Sequence, residues 1–502
     1  MKKYIPHVLM VCLYTQALQA QTLEDALRYT RPELKGSARY VSMGGAFHAL
    51  GGDLAAVKDN PAAAAVFLNS EIGATLNNLD NQIDADYFGR NNTVNSRAFN
   101  IEQFGLVLVL NDTQEGDFIK LAFAYNYQNE RIFDNKYNAI GTNTTRGLDD
   151  YFLAFAQGIP FRDIKTYDDE SIATSYQYLG ENIGFGSQQA FLGYQGYLIN
   201  PVQETDGNQV YVSNSNPQNQ AVDHDFLVTQ SGKNTKHTFT LSAQYQEQLY
   251  LGFNLNTHTA QYRKIDNLVE NNYGSGSAFN FSEFENDLIT NGEGFSFQLG
   301  AIYKPTTELR ISLSYQSPIW YNFTDELLQK VISSRAGGTD TIDPQIVNLY
   351  QYQWSTPAQY SGGLAYVFGN KGLISFQYDR ANYQKTAYDI AGGDENFIIQ
   401  NKRFQDELQS AGTLRLGGEY RFNQLSLRAG YYQQQSLNKS RPDTNTGYSG
   451  GLGYDFGASK LDLALYKTTR NHQEPLYPLG LTDPIALQNE QLQFLVSYTL
   501  KL

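Results

Sequence analysis

Leu492–Leu502 reads LQFLVSYTLKL, and its alternation decides the fold. Leu492, Phe494, Val496, Tyr498, Leu500 and Leu502 fall on one face, while Gln493, Ser497, Thr499 and Lys501 fall on the other. Only Leu495 breaks the pattern. Successive strand side chains point to opposite sides of a sheet, so this segment has one apolar and one polar face. That pattern predicts the closing strand of a transmembrane β-barrel.

The same period recurs upstream. In 118–127, Ile119, Leu121, Phe123, Tyr125 and Tyr127 alternate with Lys120, Ala122, Ala124 and Asn126. Phe239, Leu241, Ala243 and Tyr245 form a second apolar row, followed at once by Leu249, Leu251, Phe253 and Leu255. Arg310, Arg415, Glu419, Arg421 and Asp462 all fall opposite the apolar face of their strands. An Arg or Lys aimed into hydrocarbon costs about 2–4 kcal/mol at mid-bilayer, whereas the lumen tolerates it.

The strands predicted this way are 70–79, 99–110, 118–129, 236–246, 249–261, 295–304, 308–317, 360–368, 371–381, 413–422, 424–434, 446–456, 459–468 and 490–502. They number fourteen, an even count as in bacterial single-chain barrels. Connections after even-numbered strands are brief, such as Glu247–Gln248, Gly369–Asn370, Asn423 and Gly457–Ala458. Most after odd-numbered strands are long: 130–235, 262–294, 318–359, 382–412 and 469–489. One rim of periplasmic turns and one rim of extracellular loops produces this alternation, which a soluble sandwich does not require. The fold class is therefore all-β: a 14-stranded antiparallel transmembrane β-barrel occupying 70–502, with long extracellular loops.

The beginning of the chain reads as an export signal over 1–20. Lys2 and Lys3 precede an apolar run from Ile5 to Tyr14, and Ala20 offers a cleavage position. Cys12, the one cysteine, lies inside that run, so the mature chain is expected to lack disulfides and thiolate chemistry. No later run is long and apolar enough for a helical span. The 502 residues include 37 Tyr, 29 Phe and 43 Gly, and carry a net charge of -14. That charge disfavours nucleic acid as a partner.

Three stretches in the long loops carry helical spacing: Thr145–Gln157, Ser282–Leu288 and Thr324–Ile332. Asp149–Asp150 suits the start of the first. Residues 202–223 are rich in Asn, Gln, Ser and Asp and read as an exposed loop.

Residues 21–69 precede the first strand and are expected to form an N-terminal hatch. Gly36, Ala38, Arg39, Met43, Gly44, Gly45 and Ala46 are followed by Ala49, Gly51–Gly52, Asp53, Ala55–Ala56, Asn60, Pro61 and Ala62. The glycine pairs permit tight turns, Asp53 can cap a short helix over 54–58, and Asn60–Pro61 can end it. So apolar a segment needs cover, and the lumen of a fourteen-stranded barrel is wide enough to need a plug.

This motif resembles the outer-membrane long-chain fatty-acid and aromatic-hydrocarbon transport proteins of the FadL/TodX type. The resemblance implies a hatch inside a fourteen-stranded barrel. It also implies passive uptake of a hydrophobic small molecule, caught by extracellular loops and released sideways through the wall. Bacterial outer-membrane localisation, among lipid and lipopolysaccharide, goes with it. The family's ligand-binding positions lie in loops and strands that match this sequence only weakly, so ligand-binding residues stay unassigned, and the 130–235 insertion departs from the pattern.

No cofactor, metal site or catalytic constellation stands out. Arg39 can meet an anionic headgroup or fix the hatch to lumenal carboxylates. His48 reads as packed rather than as a haem ligand, and His224, His237, His258 and His472 lack metal-ligand spacing. Asp149–Asp150 and Asp168–Asp169–Glu170 read as loop charges. The alternative to uptake is a non-transporting barrel scaffold in an outer-membrane assembly or secretion complex.

Overall fold

The computed structural model describes residues 23–111, 116–167, 169–215, 221–390, 395–441 and 443–502. The export signal expected over 1–20 and Asp168 lie outside them. Fourteen antiparallel walls run in chain order: β1 Glu71–Tyr87, β2 Arg90–Asn111, β3 Phe118–Ile132 continued by Asn135–Asn143, β4 Val222–Tyr245, β5 Leu249–Asn271, β6 Phe279–Tyr303, and β7 Leu309–Gln316 continued by Trp320–Arg335. Then follow β8 Asn348–Ser355 with Gln359–Val367, β9 Gly372–Asn382 with Ala387–Tyr388, β10 Ser410–Phe422, β11 Leu425–Gln434, β12 Thr444–Asp455, β13 Ser459–Pro475 and β14 Pro484–Lys501. Each wall pairs with its neighbours, and β14 closes on β1 from Glu71↔Lys501 to Asp86↔Ala486. That pairing closes the sheet on itself low in the wall, while residues 90–102 of β2 pair with β1 alone.

Every strand expected from the sequence lies in one of these walls, and most walls run further outward than expected. Residues 80–98 form a hairpin turning at Phe88–Gly89, where both φ are positive (50° and 76°). The segments expected as helices over Ser282–Leu288 and Thr324–Ile332 are strand, paired to each other through Leu327↔Leu288 and Val331↔Phe284. Both are short apolar runs whose spacing fits either period, and pairing decides between them. Phe284, Leu327 and Val331 point inward and are buried.

The alternation inverts above the membrane belt. On β5 the outward row passes from Leu251, Phe253 and Leu255 to Thr257, Thr259, Gln261 and Arg263, while Ala260, Tyr262 and Leu268 become the buried inner row. These outer wall segments therefore enclose an apolar core while facing water.

That core is filled by the insertion between β3 and β4. Helix α3 spans Leu148–Ala156, within the expected Thr145–Gln157; α4 Ile172–Asn182 and α5 Phe185–Gln195 were not expected. A small hairpin pairs Ile199–Pro201 with Tyr211–Ser213; its second strand lies inside the stretch read as exposed, and Tyr211 is buried. Phe152, Phe155, Tyr176, Phe185 and Phe191 pack with Phe226, Phe284 and Tyr477 of the wall and outer loops. The insertion thus forms an apolar cap inside the barrel mouth.

The N-terminal segment fills the lumen lower down. It contributes α1 Leu23–Thr30, α2 Ala38–Ser42 and two 3-10 turns at Ala56–Lys58 and Pro61–Val66. Val41, Phe47, Leu54 and Ala62–Ala65 are buried against inward wall residues including Val107, Ala122, Tyr250, Ile302 and Leu495. Leu495, the one break in the final strand's pattern, is where that strand packs on the plug.

Candidate functional site

The motif residues build the plug and its seat. Ser37 caps α2 by accepting from Tyr40 N, and its hydroxyl donates to Asp53. Asp53 accepts from Ala55 N at 2.9 Å. Arg39 donates to Glu419 of β10 at 3.2 Å and to the Gly52 carbonyl at 3.1 Å, fixing the plug to a lumenal carboxylate. Gly44 has φ +63°, and a Cβ there would meet the Tyr431 carbonyl oxygen at 2.6 Å, so Met43–Gly44 lies directly on the backbone of β10 and β11. Gly45 and Ala46 continue that turn, and Gly36, just before the Ser37 cap, lies close against Ala55 and Tyr40. Asn60 does more than end a helix: it caps the Pro61–Val66 turn through Ala62 N and donates to the carbonyls of His48 and Ala301. The imidazole of His48 lies between the hydroxyls of Ser312 and Ser314, at 2.6 and 2.7 Å.

None of those motif residues lines the chamber left between plug and cap, a partly open space of about 290 Å³. Its floor is Arg28, Arg31, Glu33 and Leu34, and its ceiling includes Tyr151, Phe185, Leu476 and Tyr477. Seven cations line it (Arg28, Arg31, Arg131, Lys264, Arg403, Arg441 and Arg470) against four carboxylates (Glu33, Asp266, Glu407 and Glu474). Arg31 pairs with Asp443, which also accepts from Arg470 at 2.8 Å. Arg131 pairs with Glu33 at 3.0 Å and donates to the Arg28 carbonyl. Burial pushes the Asp443 carboxyl up, but Arg31 and Arg470 hold it well below the usual carboxylate range. The chamber therefore has a cationic polar side and an apolar side facing each other across a molecule-sized gap.

Beside the chamber, the wall is interrupted on three adjacent strands. Pro318 breaks β7, Pro357 breaks β8, and the turn Tyr383–Lys385 breaks β9. Proline lacks the N–H a ladder needs, so it sits where pairing is interrupted. Side chains patch the gap: Ile319 N donates to Thr356 Oγ1 at 2.9 Å and Phe297 N to Ser317 Oγ at 3.0 Å. Tyr29 of α1, Tyr321, Phe323 and Trp354 cluster on the inner side of this break.

The sequence pointed to the plug and missed the chamber, because its lining residues are scattered over the inner rows of outer strand segments that read as loops. Among the described residues, no group of three or more His, Cys, Asp or Glu could hold a metal ion, and no helix is long and apolar enough to cross a membrane.

A closed, fourteen-stranded antiparallel barrel plugged by its N-terminal segment is the fold shared with FadL-type structures. Among solved structures, a Pseudomonas aeruginosa FadL homologue superimposes with a TM-score of 0.55 at 13% identity, over 94% of this chain and 99% of that one. The Pseudomonas putida toluene transporter TodX gives a TM-score of 0.51 at 13% identity, with 94% and 99% covered. At this identity the likeness establishes the fold. No family model matches the sequence, and no curated protein does.

Proposed function

We propose that this protein is an outer-membrane channel for passive uptake of hydrophobic molecules, and that its ligand is an amphipath with an anionic headgroup, such as a long-chain fatty acid. The observation that carries this reading is the two-sided chamber. Arg31, Arg131 and Arg470 offer charge-assisted hydrogen bonds to a carboxylate, while Tyr151, Phe185, Leu476 and Tyr477 remove an alkyl chain from water. The ligand enters past the extracellular cap, rests in the chamber, and leaves sideways at the Pro318–Pro357 break, guided by the aromatic cluster on its inner face. The similar folds of a FadL homologue and a toluene transporter support a hydrophobic cargo.

The test is retention of palmitate by purified protein, read by extraction and mass spectrometry. Wild-type protein retains it, Arg131→Ala weakens retention, and neutral toluene does not displace it. Absence of retained palmitate in wild-type protein refutes the reading. The scaffold alternative is favoured by one observation, the closure of the barrel by both plug and cap. It requires a stoichiometric partner after gentle extraction and no uptake phenotype on deletion.

A further inference from the structure

Three exposed arginines of this barrel are each paired with a carboxylate nearby in the sheet: Arg97 with Asp80 at 2.5 Å, Arg263 with Asp287 at 2.6 Å, and Arg335 with Asp340 at 2.8 Å. Arg380 departs from this. On β9, Ile374, Phe376 and Arg380 are exposed on the outer face, while Ser375, Gln377 and Asp379 are buried on the inner one. Among the described residues Arg380 forms no ion pair, and its side-chain hydrogen bond is a 3.5 Å contact to the Tyr378 hydroxyl. It lies eight residues above the start of β9 at the short Gly369–Asn370 turn. At about 3.3 Å per residue and a strand tilt near 40°, this sets it roughly 20 Å up a wall whose apolar band is about 25 Å tall. Arg380 is therefore close to the outer edge of the hydrocarbon, where an uncompensated guanidinium is costly unless an anion meets it.

Directly below it the outer wall carries an apolar groove of about 1030 Å³ across β5–β9. Its floor opens at Gly362, which faces outward; a Cβ there would meet nothing nearer than Leu313 Cδ2 at 3.6 Å. Leu313 and Tyr378 flank that gap in register, and the rings of Tyr315 and Tyr360 stand 5.3 Å apart near its upper end. A smooth apolar slot capped by a lone cation at the headgroup level is complementary to an acyl chain hung from a phosphorylated headgroup.

We propose that the β5–β9 groove binds an acyl chain of a phosphorylated outer-leaflet glycolipid, lipid A, whose phosphate docks on Arg380. This rests on the outer-membrane reading above and is independent of what the inner chamber carries. A bound lipid here lies over the lower edge of the Pro318–Pro357 break.

The experiment is native mass spectrometry of the full-length protein in detergent, titrated with diphosphorylated lipid A, dephosphorylated lipid A or phosphatidylglycerol. Wild-type protein is expected to retain diphosphorylated lipid A at about tenfold lower concentration than either Arg380→Gln or Gly362→Leu, the effect of removing one charge-assisted phosphate contact or filling the slot. Arg97→Gln should behave as wild type. Equal retention by Arg380→Gln, or equal retention of the dephosphorylated lipid, overturns the proposal; phosphatidylglycerol binding as well as lipid A overturns the choice of glycolipid. Palmitate retention is measured in the same samples. Lipid A binding that persists without any palmitate supports the groove and refutes the uptake reading alone, while loss of groove selectivity with palmitate intact refutes the groove alone.

Discussion

The backbone N–H of Ala38, in the plug, donates to Ser497 Oγ on the final strand at 2.6 Å. Ser497 also lies 2.7 Å from Thr75 Oγ1 on β1, so one hydroxyl joins plug, last wall and first wall at the seam where the barrel closes. Gln493, two turns of the pleat earlier, accepts from both Lys35 and Asn77. The polar face of the terminal strand is thus a docking face for the plug.

Ser497→Ala should loosen that seam. It leaves the buried Ala38 N–H without its partner, at a cost of about 1–3 kcal/mol. The change is expected to lower the midpoint of guanidinium unfolding in detergent and to raise protease cleavage between residues 30 and 40. Ser497→Thr, which keeps the hydroxyl, should restore most of the difference; an unaltered midpoint in Ser497→Ala would show that the seam is held by other contacts.

Gly44→Val tests the seat of the plug on β10 and β11. A β-branched residue is strained at φ +63°, and the atoms its Cβ would meet are backbone, with Leu416 O at 2.8 Å, so the wall cannot yield cheaply. Assembled, heat-modifiable barrel is expected to fall severalfold in outer-membrane fractions. Gly450→Ala is the control, since nothing approaches its Cβ nearer than 3.7 Å and its φ is unremarkable. Similar losses in both would point to general barrel destabilisation rather than to the plug.

Asp149 makes the cap sensitive to pH. Burial is the main cause, with Asp150 and Glu270 adding to it, and together they push its carboxyl from 3.8 up to about 7. A raised acid favours the protonated folded state, so the cap is most stable at low pH and loses stability as pH rises from about 4 through about 7. Asp149→Asn, which can still accept from Ser213, should flatten this dependence. Hydrogen exchange of peptides covering 148–156 and 211–213 reads it: wild-type protection falls at least about tenfold across the window, and the variant's stays level. Parallel curves for the two proteins would remove Asp149 as the cause.

The sequence carried the membrane band almost completely, because lipid forces an unambiguous outward row such as Leu249, Leu251, Phe253 and Leu255. It carried the plug because Gly44–Gly45 and Asn60–Pro61 mark local turns. What it hid lies where the solvent changes sides. Above the belt, Tyr262 and Leu268 point inward and Arg263 outward, so a search for apolar outward rows ends at 261 and reads loop. The chamber vanishes with those segments, since Arg31, Arg131 and Arg470 come from three distant places and meet only after closure. Helices α4 and α5 were lost for a related reason: α5 is buried on most sides, so Phe185, Ala190, Phe191 and Leu192 trace no clean amphipathic stripe.

Asp443 is the link between the plug's leading segment and the upper wall. It lies between Arg31, whose side chain is 3% exposed, and Arg470, at 14%. Removing the shared carboxylate leaves two poorly solvated guanidiniums together, a loss of about 3–5 kcal/mol for a buried partner. Asp443→Asn is therefore expected to release residues 23–34 from the chamber floor, seen as faster hydrogen exchange there with the β1–β14 seam unaffected. The pH dependence has the opposite sign to that of Asp149. A carboxyl held below its ordinary value gives stability that is present above about pH 4 and is lost only as pH falls through the depressed value. Wild-type protection of 23–34 should hold from neutral pH down to about pH 4 and fail in stronger acid. Failure already at pH 6 would mean that a group other than Asp443 holds the segment.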